Sequence, residues 1–300
     1  MDYFIELLFS GLTRGSIYAL IALGYTMVYG IIGLINFAHG EIYMIGAFTA
    51  LIISTVLTYY GFPVLAVILL TAVAAAVWAA AYGFTIERIA YKPLRNAPRL
   101  SPLISAIGMS IFLQNYVLLA QTSDFQRFPA LIPDFAFMEP VAHILGTTDL
   151  IILVVSALVM IALTCMIKFT RTGKAMRATA QDRKMAQLVG INVDNVISIT
   201  FIVGSALAAI GGMLIASHIG QLNFYIGFIA GIKAFTAAVL GGIGSIPGAV
   251  LGSFILGLTE AFATGYVSSD YEDVFAFSLL VLILIFRPAG LLGKSSIEKV

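Results

Sequence analysis

The chain has 300 residues, of which 60% are hydrophobic and only 10% charged, with a net charge of +1 and a mean hydropathy of +1.03. Soluble domains carry about 25% charged residues. So few charges cannot cover a water-exposed surface, which excludes a soluble globular domain and makes lipid much of the surrounding medium. The composition predicts an all-α, polytopic transmembrane helical bundle. The single cysteine, Cys165, excludes an intramolecular disulfide and a cysteine metal site.

Apolar segments long enough to cross a bilayer recur along the whole chain. A spanning helix needs about 20 mostly apolar residues. The pattern predicts spans at 8–30, 40–60, 63–87, 102–121, 150–168, 196–216, 226–241, 247–265 and 273–287. The stretch 226–265 is rich in glycine and also fits one span plus a re-entrant piece, so eight or nine spans are expected. We interpret 1–300 as one membrane domain, with loops at 122–149 and 169–195.

The basic residues indicate the orientation of these spans. They cluster in three segments: Arg88, Lys92, Arg95 and Arg99; Lys168, Arg171, Lys174, Arg177, Arg183 and Lys184; and Arg287, Lys294 and Lys299. An even number of spans separates each cluster from the next, so all three lie on one side, which is the cytoplasm. This predicts a multi-pass protein of the bacterial inner membrane with a cytoplasmic carboxyl terminus. The acidic loop 122–149 is expected outside, as a platform for another protein.

Two polar or glycine-rich segments interrupt the apolar pattern, and the first is 35–41. It contains Asn36, His39, Gly40 and Glu41. A charged group at mid-span costs about 2.5–3.5 kcal/mol on insertion scales. Such residues are tolerated where a helix is broken and its backbone lines a cavity or packs on protein. We therefore predict a discontinuous helix on the translocation pathway; the alternative is a polar turn between two spans at the membrane interface.

The second interruption is 241–248, with Gly241, Gly242, Gly244 and Pro247 as candidate pathway residues. Proline removes an amide donor, and glycine permits positive φ and close helix contact. Glycines in membrane helices are also common packing residues, which is the alternative interpretation. Because each interruption follows one apolar helix and precedes another, a weak internal repeat is expected.

The loop 171–191 is the most informative soluble segment. Its pattern predicts a short amphipathic helix that Gly190 ends. Such an element suits docking into a groove on a cytosolic partner, although it also fits a helix lying on anionic lipid. The candidate docking residues are Arg171, Thr172, Gly173, Ala175, Met176, Arg177, Ala178, Ala186 and Gly190.

Several blocks, in order across nearly the whole chain, resemble the permease subunits of high-affinity branched-chain amino-acid ABC importers (the LivH/LivM permease family). The form of the segment 35–40 is similar to the LivH type rather than the LivM type. The blocks are Gly15-Ser16-Ile17-Tyr18-Ala19-Leu20, Ile35-Asn36-Phe37-Ala38-His39-Gly40-Glu41, Arg171-Thr172-Gly173 with Ala175-Met176-Arg177-Ala178, Lys233-Ala234-Phe235-Thr236-Ala237-Ala238-Val239-Leu240-Gly241-Gly242-Ile243-Gly244-Ser245, and Arg287-Pro288-Ala289-Gly290-Leu291-Leu292-Gly293.

The resemblance implies a transport subunit that is not itself an enzyme and holds no cofactor. It implies three kinds of partner besides lipid: a second permease subunit of the LivM type, two cytosolic ATPase subunits that bind ATP and Mg, and a periplasmic binding protein that delivers leucine, isoleucine or valine. The loop 171–191 would then be the coupling element. Related permeases carry urea, short amides or other amino acids, so these substrates stay open.

Two other functions are weighed against this one. An ion-coupled secondary transporter would use charged residues within the spans, of which Glu41, Lys233 and Glu260 are the candidates. An intramembrane enzyme could use His39 and Glu41, but this pair lacks further metal ligands and a spaced nucleophile. The basic residues follow the membrane topology and form no stripe with aromatic residues, which gives no support to a nucleic-acid partner.

Overall fold

The computed structural model describes residues 2–95, 97–98, 100–132 and 144–293. Helices dominate these residues, and the only strands described are two short ones that pair with each other. The helices are α1 Asp2–Ile32, α2 His39–Tyr59, α3 Val64–Ile86, α4 Leu100–Ala120, α5 Thr147–Phe169, α6 Arg171–Gln181, α7 Arg183–Leu188, α8 Val193–Ile219, α9 Ile226–Gly241, α10 Ile246–Tyr266 and α11 Glu272–Phe286. The strands are β1 Gln126–Arg127 and β2 Gln221–Leu222.

Seven of these helices are long and apolar enough to cross a membrane. They are α1, α2, α3 with its continuation to Leu94, α4, α5, α8 and α10. Helix α9 is apolar but has only 16 residues, and α11 has 15. At 1.5 Å per residue these two helices measure about 24 and 22 Å, which is less than the thickness of the hydrocarbon core of about 30 Å. The predicted all-α multi-pass bundle is therefore confirmed, whereas the count of eight or nine spans is not.

Helices α1 and α8 form the centre of the bundle, and α3, α4 and α5 form its periphery. Within the most apolar 18-residue stretch of each helix, 89% of the residues are buried in α1 and 67% in α8. In α3, α4 and α5 the buried share is only 17–22%. The outer faces of the peripheral helices are covered with large apolar side chains such as Leu69, Phe112 and Leu158. A helix that is apolar all round and exposed in this way is suited to contact with lipid.

The two central helices run antiparallel and belong to two repeats of opposite orientation. Gly24 of α1 contacts Gly204 of α8, and Ile17 of α1 contacts Gly211 of α8. The pairing of α1 with α10 matches that of α8 with α3, and α2 packs on α9. Helices α1–α4 therefore correspond to α8–α11, in the inverted arrangement common among membrane transporters.

Each repeat interrupts its helical path at the same place. Helix α1 ends before Gly33 and α8 ends before Gly220, and both glycines have left-handed backbones with φ of 67° and 73°. A side chain would be strained at such an angle, so glycine permits both sharp ends. The chain then turns back along the helix it has just left, over 33–38 in one repeat and 220–225 in the other.

The strands lie at one end of α8, and α6 and α7 lie near its other end. Strands β1 and β2 are antiparallel, with Gln126 opposite Leu222 and Arg127 opposite Gln221. We call this side of the molecule the strand end and the opposite side the α6–α7 end. The predicted platform at 122–149 is thus partly structured by a strand pair, while its residues 133–143 lie outside the described residues.

Candidate functional site

The polar residues of the first interruption lie in the protein interior. Asn36, His39 and Glu41 are 1%, 2% and 0% exposed. The imidazole of His39 lies against Gly24, more than two helical turns before the end of α1. Helix α2 therefore begins deep inside the bundle rather than at a turn on its surface.

Helices α2 and α9 cross at the point where both of them begin. Gly40 and Gly227 face each other so closely that a Cβ atom on either would collide with the backbone of the other. Glu41 lies beside this crossing, where its carboxylate accepts a hydrogen bond of 3.0 Å from Ser110 of α4. The crossing therefore places a buried carboxyl group between two helix beginnings.

Several buried polar atoms around this crossing have no hydrogen-bond partner among the described residues. They include Nδ2 of Asn36, Nε2 of His39 and Oε2 of Glu41. An unsatisfied buried polar atom costs about 1–3 kcal/mol. Such groups persist where function requires them, or where water or a ligand visits. The geometry brings Asn36, His39, Gly40 and Glu41 together, and their role in translocation stays a prediction.

The second predicted interruption is a turn between two helices, not a break within one. Helix α9 ends at Gly241 and α10 begins at Ile246, with Pro247 in its first turn. Gly242 and Gly244 have φ of 106° and 93°, which other residues rarely adopt. The interpretation of 241–248 as the counterpart of 35–41 is therefore wrong, because this turn closes a helix hairpin.

The true counterpart of the first interruption is 220–227. Gly33, Asn36, Phe37 and Gly40 correspond in order and spacing to Gly220, Asn223, Phe224 and Gly227. In both segments the first residue of the following helix donates its amide to the asparagine carbonyl, at 3.0 Å for His39 and 3.3 Å for Ile226. Sequence reasoning missed 220–227 because it carries no charge, although the repeated pattern Gly-x-x-Asn-Phe-x-x-Gly was visible.

The segment 171–190 forms two helices rather than the one expected. Asp182 interrupts the helical path with an extended backbone and caps α7, because its carboxylate accepts from the amides of Lys184 and Met185. Helix α6 is capped in the same way by Thr170, which accepts from Gly173 at 3.0 Å. Gly190, with φ of 86°, follows α7 and ends it as predicted.

The candidate docking residues are divided between the interior and the surface. Gly173, Met176 and Ala186 are buried in the chain's own core, and Thr172, Ala175 and Ala178 are half-buried. Arg171 is exposed, whereas Arg177 donates hydrogen bonds to the carbonyls of Ile167 and Lys168 at the end of α5. The exposed apolar side chains are instead Met185, Leu188 and Val189, at 60%, 80% and 76%.

Arg183 connects these two helices to the centre of the bundle. Its Nε donates a 2.8 Å hydrogen bond to the carbonyl of Ile31, one residue before α1 ends. Burial, and then repulsion by Arg95, lower the pKa of the Arg183 guanidinium. The α6–α7 unit therefore touches the chain directly before the interruption at 33–38.

Two of the three charged residues considered for ion coupling, Lys233 and Glu260, belong to one network. Lys233 lies 3.3 Å from Glu260, 2.7 Å from Glu272 and 2.9 Å from Asp273. Arg14 pairs with Glu272 at 2.8 Å, and Tyr18 donates to Glu260 at 2.7 Å. Glu41 lies apart from this network, beside Gly40 and Gly227. Among the described residues no group of three or more His, Cys, Asp or Glu residues is placed to hold a metal ion.

Comparisons with known proteins match nearly the whole chain and agree on one family of permeases. A family model described as "Branched-chain amino acid transport system / permease component" matches residues 7–284. The protein BraD of Pseudomonas aeruginosa, named a high-affinity branched-chain amino acid transport system permease protein, is 53% identical over 99% of this chain and 98% of its own length. LivH of Escherichia coli K12, with the same description, is 51% identical over the same shares. A probable branched-chain amino acid transport permease protein of Methanocaldococcus jannaschii is 28% identical over 91% of this chain and 88% of its own.

Proposed function

The chain belongs to the family of permease components of branched-chain amino acid transport systems, and we propose that it is the LivH-type membrane subunit of an ABC importer for leucine, isoleucine and valine. The observation that carries the proposal is identity of 51–53% to high-affinity permeases of this class over 99% of the chain. The chain is a multi-pass membrane protein, and its place is the bacterial inner membrane.

The proposed topology has nine passages through the membrane. Helices α9 and α11 are two of these nine passages although they are short. A short span is accommodated by thinning the bilayer or by packing against other helices. The strand end then faces the periplasm, and the α6–α7 end and the carboxyl terminus face the cytoplasm, in agreement with the clusters of basic residues. The strand pair, with the acidic loop around it, receives the periplasmic binding protein.

The energy for transport comes from two cytosolic ATPase subunits, and this chain binds neither ATP nor Mg. The exposed apolar residues Met185, Leu188 and Val189 are the surface on which an ATPase docks. Arg183 transmits a movement of α7 to the end of α1, and from there to the interruption at 33–38. The two crossed helices α2 and α9 then move relative to α1 and α8, which opens the pathway to one side at a time.

The complete assembly provides the test. The chain is purified from native membranes under mild conditions, and its companions are identified by mass spectrometry. We expect a LivM-type permease, two ATPase subunits and, after reconstitution into proteoliposomes with the binding protein, uptake of leucine, isoleucine and valine. Uptake of urea or short amides in place of these amino acids would contradict the proposed substrate. Purification without any ATPase subunit would contradict the proposed class.

A further inference from the structure

A cavity of about 360 Å³ opens beside the strand pair, between α1, α8, α9 and α11. Sites for small ligands in proteins have volumes of about 300–1,000 Å³ and combine apolar walls with a few polar groups. One wall of this cavity is aliphatic, formed by Ile215, Ile219, Leu222, Ile226 and Ile229. Asn223 and Ile226 place the interrupted end of α9 at its edge.

The lining of this cavity also carries both signs of charge. Arg14, Lys233 and Glu272 line the cavity, and the Lys233 side chain is 8% exposed while those of Arg14 and Glu272 are 26% and 20% exposed. These three side chains pair with one another through Glu272, at 2.8 Å for Arg14 and 2.7 Å for Lys233. The cavity thus brings these charged side chains close to an aliphatic part of the lining, and Lys233 also pairs with Glu260 and Asp273.

The inverted repeat places different residues at the positions that correspond to these charges. The positions that correspond to Arg14, Tyr18 and Lys233 in the other repeat are Phe201, Ser205 and Gly46. There, Phe201 packs against Tyr91 with ring centroids 5.3 Å apart, and the nearby buried carboxylate of Glu87 accepts a hydrogen bond from Ser198 and pairs with Arg95. Arg14 and Lys233 therefore have uncharged counterparts at the corresponding positions of the other repeat.

We propose that this cavity is a transit site for one zwitterionic aliphatic amino acid on its way from the binding protein into the pathway. The amino-acid carboxylate binds between Arg14 and Lys233, the ammonium group binds Glu272, and the side chain lies against Ile219, Ile226 and Ile229. The inference rests on the proposed function, since it assigns a place to that substrate. A ligand with both charges and an aliphatic chain matches the charged and the aliphatic parts of this lining.

The experiment uses the assembled transporter in nanodiscs without the binding protein, and detects weakly bound leucine by saturation-transfer difference NMR. The variant Ile229→Trp puts a large ring at a position that is 42% exposed and lines the cavity. Its matched control is Ile161→Trp on α5, at a position that is 60% exposed and is not part of the cavity wall. A second variant, Ala230→Leu, narrows the cavity by a smaller volume in case the tryptophan impairs assembly.

We expect saturation transfer to leucine in the wild type and in Ile161→Trp, and a loss of at least fivefold in Ile229→Trp and Ala230→Leu. Leucinol and 4-methyl-2-oxopentanoate, which each lack one of the two charges, compete several-fold less well than valine. Undiminished transfer in both cavity variants, or none in a wild type that transports leucine, would overturn the transit site alone. A wild-type assembly that takes up no branched-chain amino acid would instead remove the proposed function.

Discussion

At the scale of single residues, two glycines determine how the helices pack at the centre of the molecule. The backbones of Gly40 and Gly227 approach so closely that neither position has room for a Cβ atom. This contact fixes where α2 crosses α9, and it places Glu41 and His39 at the crossing. A methyl group added there must therefore separate the two helices.

The first prediction is that Gly40→Ala lowers the thermal stability of the detergent-purified protein. Overpacking a filled core typically costs about 1–3 kcal/mol, and here the obstacle is backbone that cannot rotate away. The matched control is Gly108→Ala in α4, where an added Cβ meets nothing within 4 Å. Thermal unfolding of both variants, followed by the remaining monodisperse fraction, should show a clear loss for Gly40→Ala only; equal stability would contradict the close crossing.

The sequence identified the unusual residues but not their neighbours. Asn36, His39, Gly40 and Glu41 stood out because polar residues are costly among apolar ones. That Gly40 contacts Gly227, and that Glu41 accepts a hydrogen bond from Ser110, depends on tertiary packing between distant segments. Local polarity is visible in one chain, whereas a contact between two glycines leaves no local pattern.

At the scale of elements, α6 is largely packed against the rest of the chain, whereas α7 is largely exposed. Helix α6 buries Gly173 and Met176 against its own chain, and Arg177 holds it to the end of α5. Helix α7 presents Leu188 and Met185 to the solvent. One helix therefore anchors the pair, and the other is the surface that we propose for a partner.

The second prediction concerns that surface. Leu188→Asp should reduce recovery of the ATPase subunits with the purified permease by about tenfold or more, because a buried, unpaired carboxylate would replace an apolar contact. Gln187→Asp is the control, since it adds the same charge at a neighbouring exposed position. Quantitative co-purification measures the effect, and equal recovery of ATPase in the two variants would exclude Leu188 from the interface.

The third prediction tests the connection from α7 to α1. Arg183→Ala removes the hydrogen bond to the Ile31 carbonyl, and charge-assisted bonds contribute about 1.5–3 kcal/mol. We expect about tenfold slower leucine uptake in proteoliposomes, with ATP hydrolysis retained, because the ATPase can turn over without moving α1. Lys184→Ala, next to it and exposed, should keep both activities. Normal uptake per ATP hydrolysed in Arg183→Ala would show that this contact transmits nothing.

The elements themselves were largely predictable, and the errors have physical causes. Each of the nine predicted segments coincides with a described helix, and seven of these helices are long and apolar enough to cross a membrane, for which about 20 apolar residues are needed. The single helix expected at 171–190 became two because the side chain of Asp182 caps α7, and aspartate competes with the helical backbone in this way. The turn at 241–248 looked like a broken helix because glycine and proline serve both purposes.

At the scale of the whole molecule, two inverted repeats surround the crossing of α2 and α9. The strand pair closes this arrangement at one end by joining the segment after α4 to the segment after α8. The repeat relation could be anticipated only in outline from the sequence, because inverted repeats diverge until a few residues such as Gly33 and Gly220 remain in common. The antiparallel packing of the two repeats can be recognised only in the structure.

The fourth prediction tests this closure. Arg127 and Gln221 are directly opposite each other and exposed, so Arg127→Cys combined with Gln221→Cys should form a disulfide readily. Directly opposite residues have Cβ atoms about 4.5–5.5 Å apart. Gel mobility after cleavage at an inserted protease site between the two positions reports the bond. Arg127→Cys with Asn223→Cys, two residues out of register, is the control; equal bond formation in the two pairs would contradict the strand register.

The central claim is that this bundle is moved by nucleotide hydrolysis on other subunits. The most direct measurement is leucine accumulation in proteoliposomes that contain the permease pair and the binding protein, with and without the ATPase subunits, under an imposed proton or sodium gradient. The account predicts uphill accumulation only when the ATPase subunits and ATP are present, whatever the gradient. Accumulation driven by the gradient in the vesicles that lack ATPase subunits would contradict it.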